Sequence, residues 1–115
     1  WLQQSASEGL ATLGLAYFGG LGDAERNSRC LAIAGDAEEA CRRCASAFHS
    51  DVILGGRESG IVDVAETAAI AGRLVSVLQL LSGLEPRWAS FLLEGNGSAS
   101  VRWGRVLVSG HADGG

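Results

Sequence analysis

The residues of this chain whose types and spacing could support chemistry are its cysteines. Cys41 and Cys44 form the sequence CRRC, which is the spacing of thiol–disulfide motifs and of paired metal ligands. A redox motif of this kind opens a helix, whereas the surrounding pattern places both cysteines inside a helix, on its apolar face. A zinc site would need two more ligands, and Cys30 and His49 are the only nearby candidates. The favoured interpretation is that Cys41 and Cys44 are small buried core residues, with no metal and no cofactor.

The other reactive side chains form no recognisable catalytic pattern. His49 and His111 are the only histidines, and no Gly-x-Ser-x-Gly segment accompanies them. The segment GGLGDAE lacks the third glycine of a dinucleotide-binding loop, and the absence of lysine excludes a Walker-type phosphate loop in this chain. The carboxylates are scattered, so solvated surface charge is the favoured interpretation for them. We therefore predict no catalytic residues and a protein that is not an enzyme.

Length and composition indicate a single globular domain over residues 1–115. Apolar residues make up 47% of the chain and charged residues 19%, which suits one modest core. The net charge of −4 gives no reason to expect nucleic-acid binding. Three cysteines are an odd number and too few for a disulfide scaffold, and the first residues lack a signal-peptide pattern. These features favour a reducing, intracellular compartment, the cytoplasm.

The N-terminal half predicts two strands followed by a helix. Alternation of large and small apolar residues predicts strands over 10–20 and 29–35, separated by a polar loop. Asp36, with Glu39 three residues later, has the spacing of a capping box. An amphipathic helix is expected to run from Asp36 to about Phe48.

The C-terminal region predicts three antiparallel strands. Pro86 ends the preceding helix, and the apolar segment RWASFLLE leads into Asn96-Gly97, a strong hairpin signal. Two further segments, ASVRWG and RVLVSGH, turn around Gly104. The prediction is an α/β (α+β) fold, in which helices pack on a five-stranded antiparallel sheet.

A long helix is predicted over 63–82, between these halves, and between residues 65 and 83 it carries only Glu66 and Arg73 as charges. One stripe of this helix is bulky and suits packing on a sheet: Ile70, Leu74, Val77 and Leu81. The opposite stripe consists mostly of small residues with the 4-3 spacing of a helix–helix seam: Ala65, Ala69, Gly72, Ser76, Gln79 and Gly83. Together, the two stripes leave almost no face of the helix exposed to water. The second stripe is therefore expected to pack on another helix, either the Asp36 helix or the same helix of another subunit.

Two alternatives for the long helix remain. Its length approaches that of a membrane span, but Glu66, Arg73 and Gln79 lie inside it, which disfavours insertion. It could instead be internal to a monomer, but burying one helix on both sides is demanding in a domain of this size. An oligomer is favoured, and Gly72→Leu is expected to disrupt assembly more than it unfolds the subunit.

Trp88, Phe91 and Trp103 are the best candidates for recognition residues. Aromatic residues in short strands usually belong to the core, and on an edge strand they become interface anchors. The complete predicted interface consists of Ala65, Ala69, Gly72, Ser76, Gln79, Trp88 and Phe91.

The order of predicted elements resembles that of the roadblock/dynein-light-chain family, small adaptor subunits with a profilin-like and longin-like α/β sandwich. The likeness is carried by LGLAYF with CLAIAGDAEEA, by ETAAIAGRLVSVL, and by the closing segment that begins at Pro86. Residues 49–62 would be an insertion, and the third helix of the family is missing. The resemblance implies a non-catalytic adaptor or scaffold. It also implies homo- or hetero-oligomers with related subunits, formed through the central helix and an edge strand, and a platform for small GTPases or a larger complex.

A second resemblance is to bacterial microcompartment shell proteins, which tile into sheets. It is carried by RCLAIAGDAEEACRRCASAFHSDVIL and by GIVDVAETAAIAG, in permuted order. Both resemblances imply an assembling, non-enzymatic protein. A small-molecule-binding or enzymatic domain is the third alternative.

Overall fold

The structure is a computed structural model that describes residues 3, 7–16, 21–35, 37–95 and 97–109. Its helices are α1 (Asp23–Ala34), α2 (Glu38–Leu54) and α3 (Ile70–Leu84), and a 3-10 helix (Pro86–Phe91) follows α3. Strands β1 (Leu92–Gly95) and β2 (Ser98–Val101) come next, and then a short 3-10 helix (Trp103–Arg105). The described residues are mainly helical and contain one two-stranded antiparallel sheet. The prediction of a five-stranded sheet in a roadblock- or longin-like sandwich is therefore wrong.

Residues 29–35, predicted as a strand, belong to α1 and its C-terminal cap. Arg26 forms an ion pair with Asp23, and Arg29 pairs with Glu25 at 2.6 Å, both at helical spacing. Cys30 lies one turn after Arg26 and is fully buried against α2. The apolar residues of RCLAIAG fit both the two-residue period of a strand and the 3.6-residue period of a helix, and these contacts favour the helix.

The other predicted N-terminal strand is wrong for the residues that are described. Residues 10–16 have no regular secondary structure, and 17–20 lie outside the described residues. Leu13 packs beside α3, and the carbonyl of Ala16 accepts a hydrogen bond of 2.7 Å from Arg73. Side-chain packing and an arginine, rather than a neighbouring strand, hold this segment.

The predicted amphipathic helix is confirmed as α2, although it continues to Leu54 instead of ending at Phe48. The extra residues include Val52, which is buried against Phe48. Gly55, with φ of 90°, ends the helix. The N-cap is Ala37, which makes no side-chain capping hydrogen bond, and Asp36 lies outside the described residues.

Helix α3 begins at Ile70, so the predicted start at Asp63 is wrong. Val64 instead forms a bridge with Gly56, with N–O distances of 2.8 and 2.9 Å, and residues 66–69 form a turn before the helix. Tertiary pairing here overrides the helix propensity of an alanine-rich segment. The predicted stop at Pro86 is confirmed, because α3 ends at Leu84.

The predicted hairpin is confirmed, but a third strand is not present among the described residues. β1 pairs with β2 from Leu92–Val101 to Gly95–Ser98, and Gly97 at the turn has φ of 83°. The chain then enters the short 3-10 helix, and residues 106–109 have no regular structure. Val106 packs onto α3 and the hairpin, and this packing replaces strand pairing.

The apolar core consists of two clusters. The Phe48 cluster contains buried Leu21, Phe48 and Val52, with Ile61, Val62 and Ile70 packed against them. The Leu78 cluster contains buried Leu78, Leu92 and Val101, with Leu13, Leu74, Val75, Trp88, Phe91, Ala99 and Val106 packed against them. Helix α3 contributes its first residue to one cluster and its middle to the other. Within the described part of the chain, no helix has the length and apolar character needed to cross a bilayer.

Candidate functional site

The predicted small-residue stripe is partly filled by the chain itself. Ala69 is 1% exposed. A Cβ atom at Gly72 would overlap the carbonyl oxygen of Glu66 and lie 2.9 Å from the Cα of Thr67. Ala65 is exposed and precedes α3, so it is not on the helix. Gly72 is thus small because a loop of the same chain crosses close to α3.

The predicted aromatic anchors belong to the core. Trp88 and Phe91 lie in the 3-10 helix after α3, their ring centroids are 5.8 Å apart, and both pack against the Leu78 cluster. Both are half-buried. Trp103 is more exposed, at 46%. The core interpretation of Trp88 and Phe91 therefore has direct support from their contacts.

Helix α3 has an exposed face, contrary to the expectation that almost none of it meets water. We call this surface the α3 outer face, and its exposed residues are Arg73, Ser76, Gln79, Leu80, Gly83 and Leu84. Leu80 is 68% exposed and Leu84, one turn later, is 77% exposed. Ser76 donates its hydroxyl hydrogen bond to the Gly72 carbonyl at 3.0 Å, so its side chain is satisfied within the helix. This face combines exposed leucines with a single charge, from Arg73.

The cysteines form a site that sequence analysis did not predict. Cys30 of α1 and Cys44 of α2 are joined by a disulfide with a Cα–Cα distance of 5.7 Å, so Cys44 is buried as predicted but is also cross-linked, which was not predicted. Cys41 is a free, half-buried thiol. The signal for the disulfide was its symmetry, because residue 37 between α1 and α2 lies midway between Cys30 and Cys44. Two residues equidistant from the turn of a helical hairpin lie at about the same height along it.

Asp51 organises the loop that follows α2. Its side chain is buried, and its carboxylate accepts hydrogen bonds of 2.9 Å from the backbone N–H groups of Glu58 and Ser59. Burial raises the pKa of the Asp51 carboxyl, but the hydrogen bonds from Ser59 and Glu58 outweigh burial and hold that pKa below its usual value. An acidic residue near a helix C-terminus opposes the helix dipole, and this was the sequence signal for a special role.

An open groove of about 740 Å³ lies between α1, residues 61–68 and the start of α3. Its walls include Leu21, Ile61 and Val64. Its acidic and basic residues balance, and two of them, Glu25 and Arg29, pair with each other across 2.6 Å. The groove therefore has apolar residues in its walls and no net charge.

Possible metal ligands and one of the two histidines, His49, lie in the described ranges. No cluster of three His, Cys, Asp or Glu residues among the described residues could hold a metal ion. His49 is exposed and its Nε2 lies 3.3 Å from Nη1 of Arg26. His111 lies outside the described residues.

Comparison with known proteins gives no family assignment. No protein-family model, no curated protein and no solved structure matches this chain. The resemblances to roadblock and shell proteins therefore stay predictions.

Proposed function

We propose that this chain is a non-catalytic assembly module that pairs with a second copy of itself through the α3 outer face. The observation that supports this is the exposure of Leu80 and Leu84 on consecutive turns of the least charged helix. Fully burying a leucine side chain contributes about 1.5–3 kcal/mol. Two leucines from each copy would therefore supply a substantial part of the free energy of a weak dimer.

The composition of the α3 outer face suits contact with a copy of itself. A two-fold interface brings the same surface of both subunits together, so each bulky residue must meet a small one. Leu80 has Ser76 one turn before it, and antiparallel packing of two α3 helices would set Leu80 of each copy beside Ser76 of the other. The single charge, Arg73, lies at one end of the face, where antiparallel packing separates the two copies of it.

The hairpin offers a second contact of the predicted kind. Among the described residues β1 and β2 pair only with each other, so each strand keeps one unpaired edge. Such an edge can add a strand from another chain. Leu93 of β1 is 43% exposed. Pairing between hairpins would extend the two-stranded sheet, as the edge-strand prediction expects.

The proposed partner is a second copy of the chain rather than a small GTPase. The GTPase prediction rested on a family whose sandwich needs a larger sheet than the described residues contain. The shell resemblance rested on a strand before Gly35, and that segment is helical.

The cytoplasmic location stays a prediction, and the structure changes its premise that the cysteines are unpaired. Disulfides persist mainly in oxidising compartments. The Cys30–Cys44 disulfide therefore removes the assumption of unpaired cysteines on which that prediction rested.

Leu80→Glu tests the proposed dimer. Placing a carboxylate at the centre of the face is expected to turn the dimer into a monomer, because two buried like charges repel each other. The measurement is molar mass by light scattering during size-exclusion chromatography. Leu31→Glu on α1 is the matched control, since Leu31 is also an exposed leucine, at 49%, and this variant should remain dimeric. A monomeric parent chain, or equal masses for both variants, would refute the proposal.

A further inference from the structure

The three cysteines differ in how well solvent reaches them. Cys30 has 0% exposure and Cys44 has 8%, so a reductant in solution has little access to the disulfide that joins them. Cys41 is half-buried, carries a free thiol and lies one turn before Cys44 on α2. We propose that Cys41 is a resident attacking thiol, which exchanges the Cys30–Cys44 disulfide for a Cys41–Cys44 disulfide and thereby releases α1 from α2.

Helix geometry allows this exchange at small cost in backbone movement. Residues three apart on a helix have Cα atoms about 5 Å apart, which lies within the range of disulfides. Their Cβ atoms are about 5–6 Å apart, whereas a disulfide needs about 4 Å, so the turn must tighten locally. Cys41 is the fourth residue of α2, and the N-cap Ala37 makes no side-chain hydrogen bond to that end. Cys41 ends the first turn of α2, so the local tightening falls on the turn that joins Cys41 to Cys44.

The chemical step is balanced without any oxidant or reductant. The Cys41 thiol loses its proton to water, and the thiolate attacks the Sγ atom of Cys44. The Cys41–Cys44 bond forms as the Cys30–Cys44 bond breaks, and the Cys30 thiolate leaves and takes up a proton. A dithiol in solution can then reduce the new disulfide, because Cys41 is the more accessible cysteine.

Exchange would remove the covalent link that holds α1 to α2. Cys30 is the buried residue of α1. The other contacts between α1 and α2 include those of Arg26, which lies 3.3 Å from His49 and 6.0 Å from the ring centroid of Phe48. Movement of α1 would uncover Phe48 and open one wall of the groove. The disulfide pattern thus controls access to the Phe48 cluster.

Peptide mapping distinguishes the two disulfides. A glutamate-specific protease cuts after Glu25, Glu38, Glu39 and Glu58, so Cys30 falls in peptide 26–38 and the other two cysteines in peptide 40–58. The Cys30–Cys44 disulfide links two peptides, whereas the exchanged disulfide is internal to 40–58. Free thiols are trapped with N-ethylmaleimide under native conditions before digestion. We expect a fraction of the wild-type chain at pH 8 to carry the label on Cys30 and the internal disulfide.

Cys41→Ser tests the role of the thiol. In about 1 mM dithiothreitol, loss of the Cys30–Cys44 disulfide should be at least about tenfold slower in this variant, because the intramolecular nucleophile is removed. Ala40→Ser, which places a hydroxyl on the neighbouring residue of α2, should keep the wild-type rate. Equal rates in the wild type and Cys41→Ser would overturn the proposal.

Cys30→Ser provides a second test that does not depend on the rate. This variant retains Cys41 and Cys44, and oxidised glutathione should convert it to the form with the internal disulfide in peptide 40–58. Persistence of two glutathione-linked or free cysteines would show that α2 cannot accommodate the bond, and would also overturn the proposal. Neither test involves the α3 outer face, so the outcome of each test does not depend on whether the chain forms the proposed dimer.

Discussion

Replacing Asp51 by alanine is expected to lower the free energy of unfolding by about 2–4 kcal/mol. The carboxylate is almost completely buried and accepts the N–H groups of Glu58 and Ser59, each at 2.9 Å. Alanine would leave the buried N–H of Ser59 and the partly buried N–H of Glu58 without their acceptor. Chemical denaturation in urea measures the change. Asp63→Ala, at an exposed aspartate of the same loop region, is the control and should change stability by less than about 0.5 kcal/mol.

The same carboxylate makes stability depend on pH in the acid range. The pKa of Asp51 in the folded chain lies below the ordinary value of 3.8, so the unfolded chain binds its proton first as the pH falls. The contribution of Asp51 is therefore fully present well above pH 3.8, and it is lost as the pH falls through the folded-state pKa. Asp51→Asn should remove this part of the acid dependence. An unaltered slope of unfolding free energy against pH below about 4 would contradict the assignment.

Replacing Gly72 by alanine is expected to destabilise the subunit by roughly 2–3 kcal/mol. Its new methyl group would overlap the Glu66 carbonyl oxygen, which is backbone and cannot turn aside as a side chain can. The loop around Glu66 would have to move, and it also contacts Gly55, where a Cβ would lie 2.7 Å from the Glu66 Cα. Thermal or urea unfolding measures the loss.

Gly104→Ala is the matched control for Gly72→Ala. A Cβ at Gly104 meets no atom within 4 Å, and its φ does not lie in the left-handed region, so stability should change by less than about 1 kcal/mol. The pair of variants also separates two explanations of Gly72. If Gly72 belonged to a seam between subunits, its variant would lose the dimer and retain the unfolding free energy of the subunit. The structure predicts the reverse order of effects, with folding affected first.

The elements that could be predicted from sequence are those specified by neighbouring residues. Helix α2 was found because its apolar face continues over several turns, and the hairpin was found because Asn96-Gly97 suits a two-residue turn. Pro86 correctly marked the end of α3. In each of these segments, one interpretation of the pattern was clearly preferred.

The secondary-structure predictions were wrong where contacts outside the local segment decide between two possible structures. The apolar residues of RCLAIAG fit a strand or a helix, and pairing of Cys30 with Cys44 accompanies the helix. The alanine-rich segment before Ile70 suits a helix, but Val64 is bridged to Gly56 and residues 66–69 form a turn instead. These contacts join residues far apart in sequence, so a local pattern does not contain them.

The candidate site was predicted only in part for the same reason. Ser76 and Gln79 are both exposed on α3, and helical periodicity alone places them on a common face. The small size of Gly72 suggested an external neighbour, whereas its neighbour is Glu66 of the same chain. The role of Asp51 depends on a loop that folds back on α2, and no periodicity reports it.

The division of the apolar core into two clusters has a consequence for partial unfolding. Ile70 packs α3 against the Phe48 cluster, and Leu78 packs it against the hairpin. Helix α3 therefore belongs to both of two cooperative units. Amide protons at the ends of α1 should exchange with deuterium well before those of β1 and β2. Those in the middle of α3 should be the last to exchange, because both units must open before that helix is released.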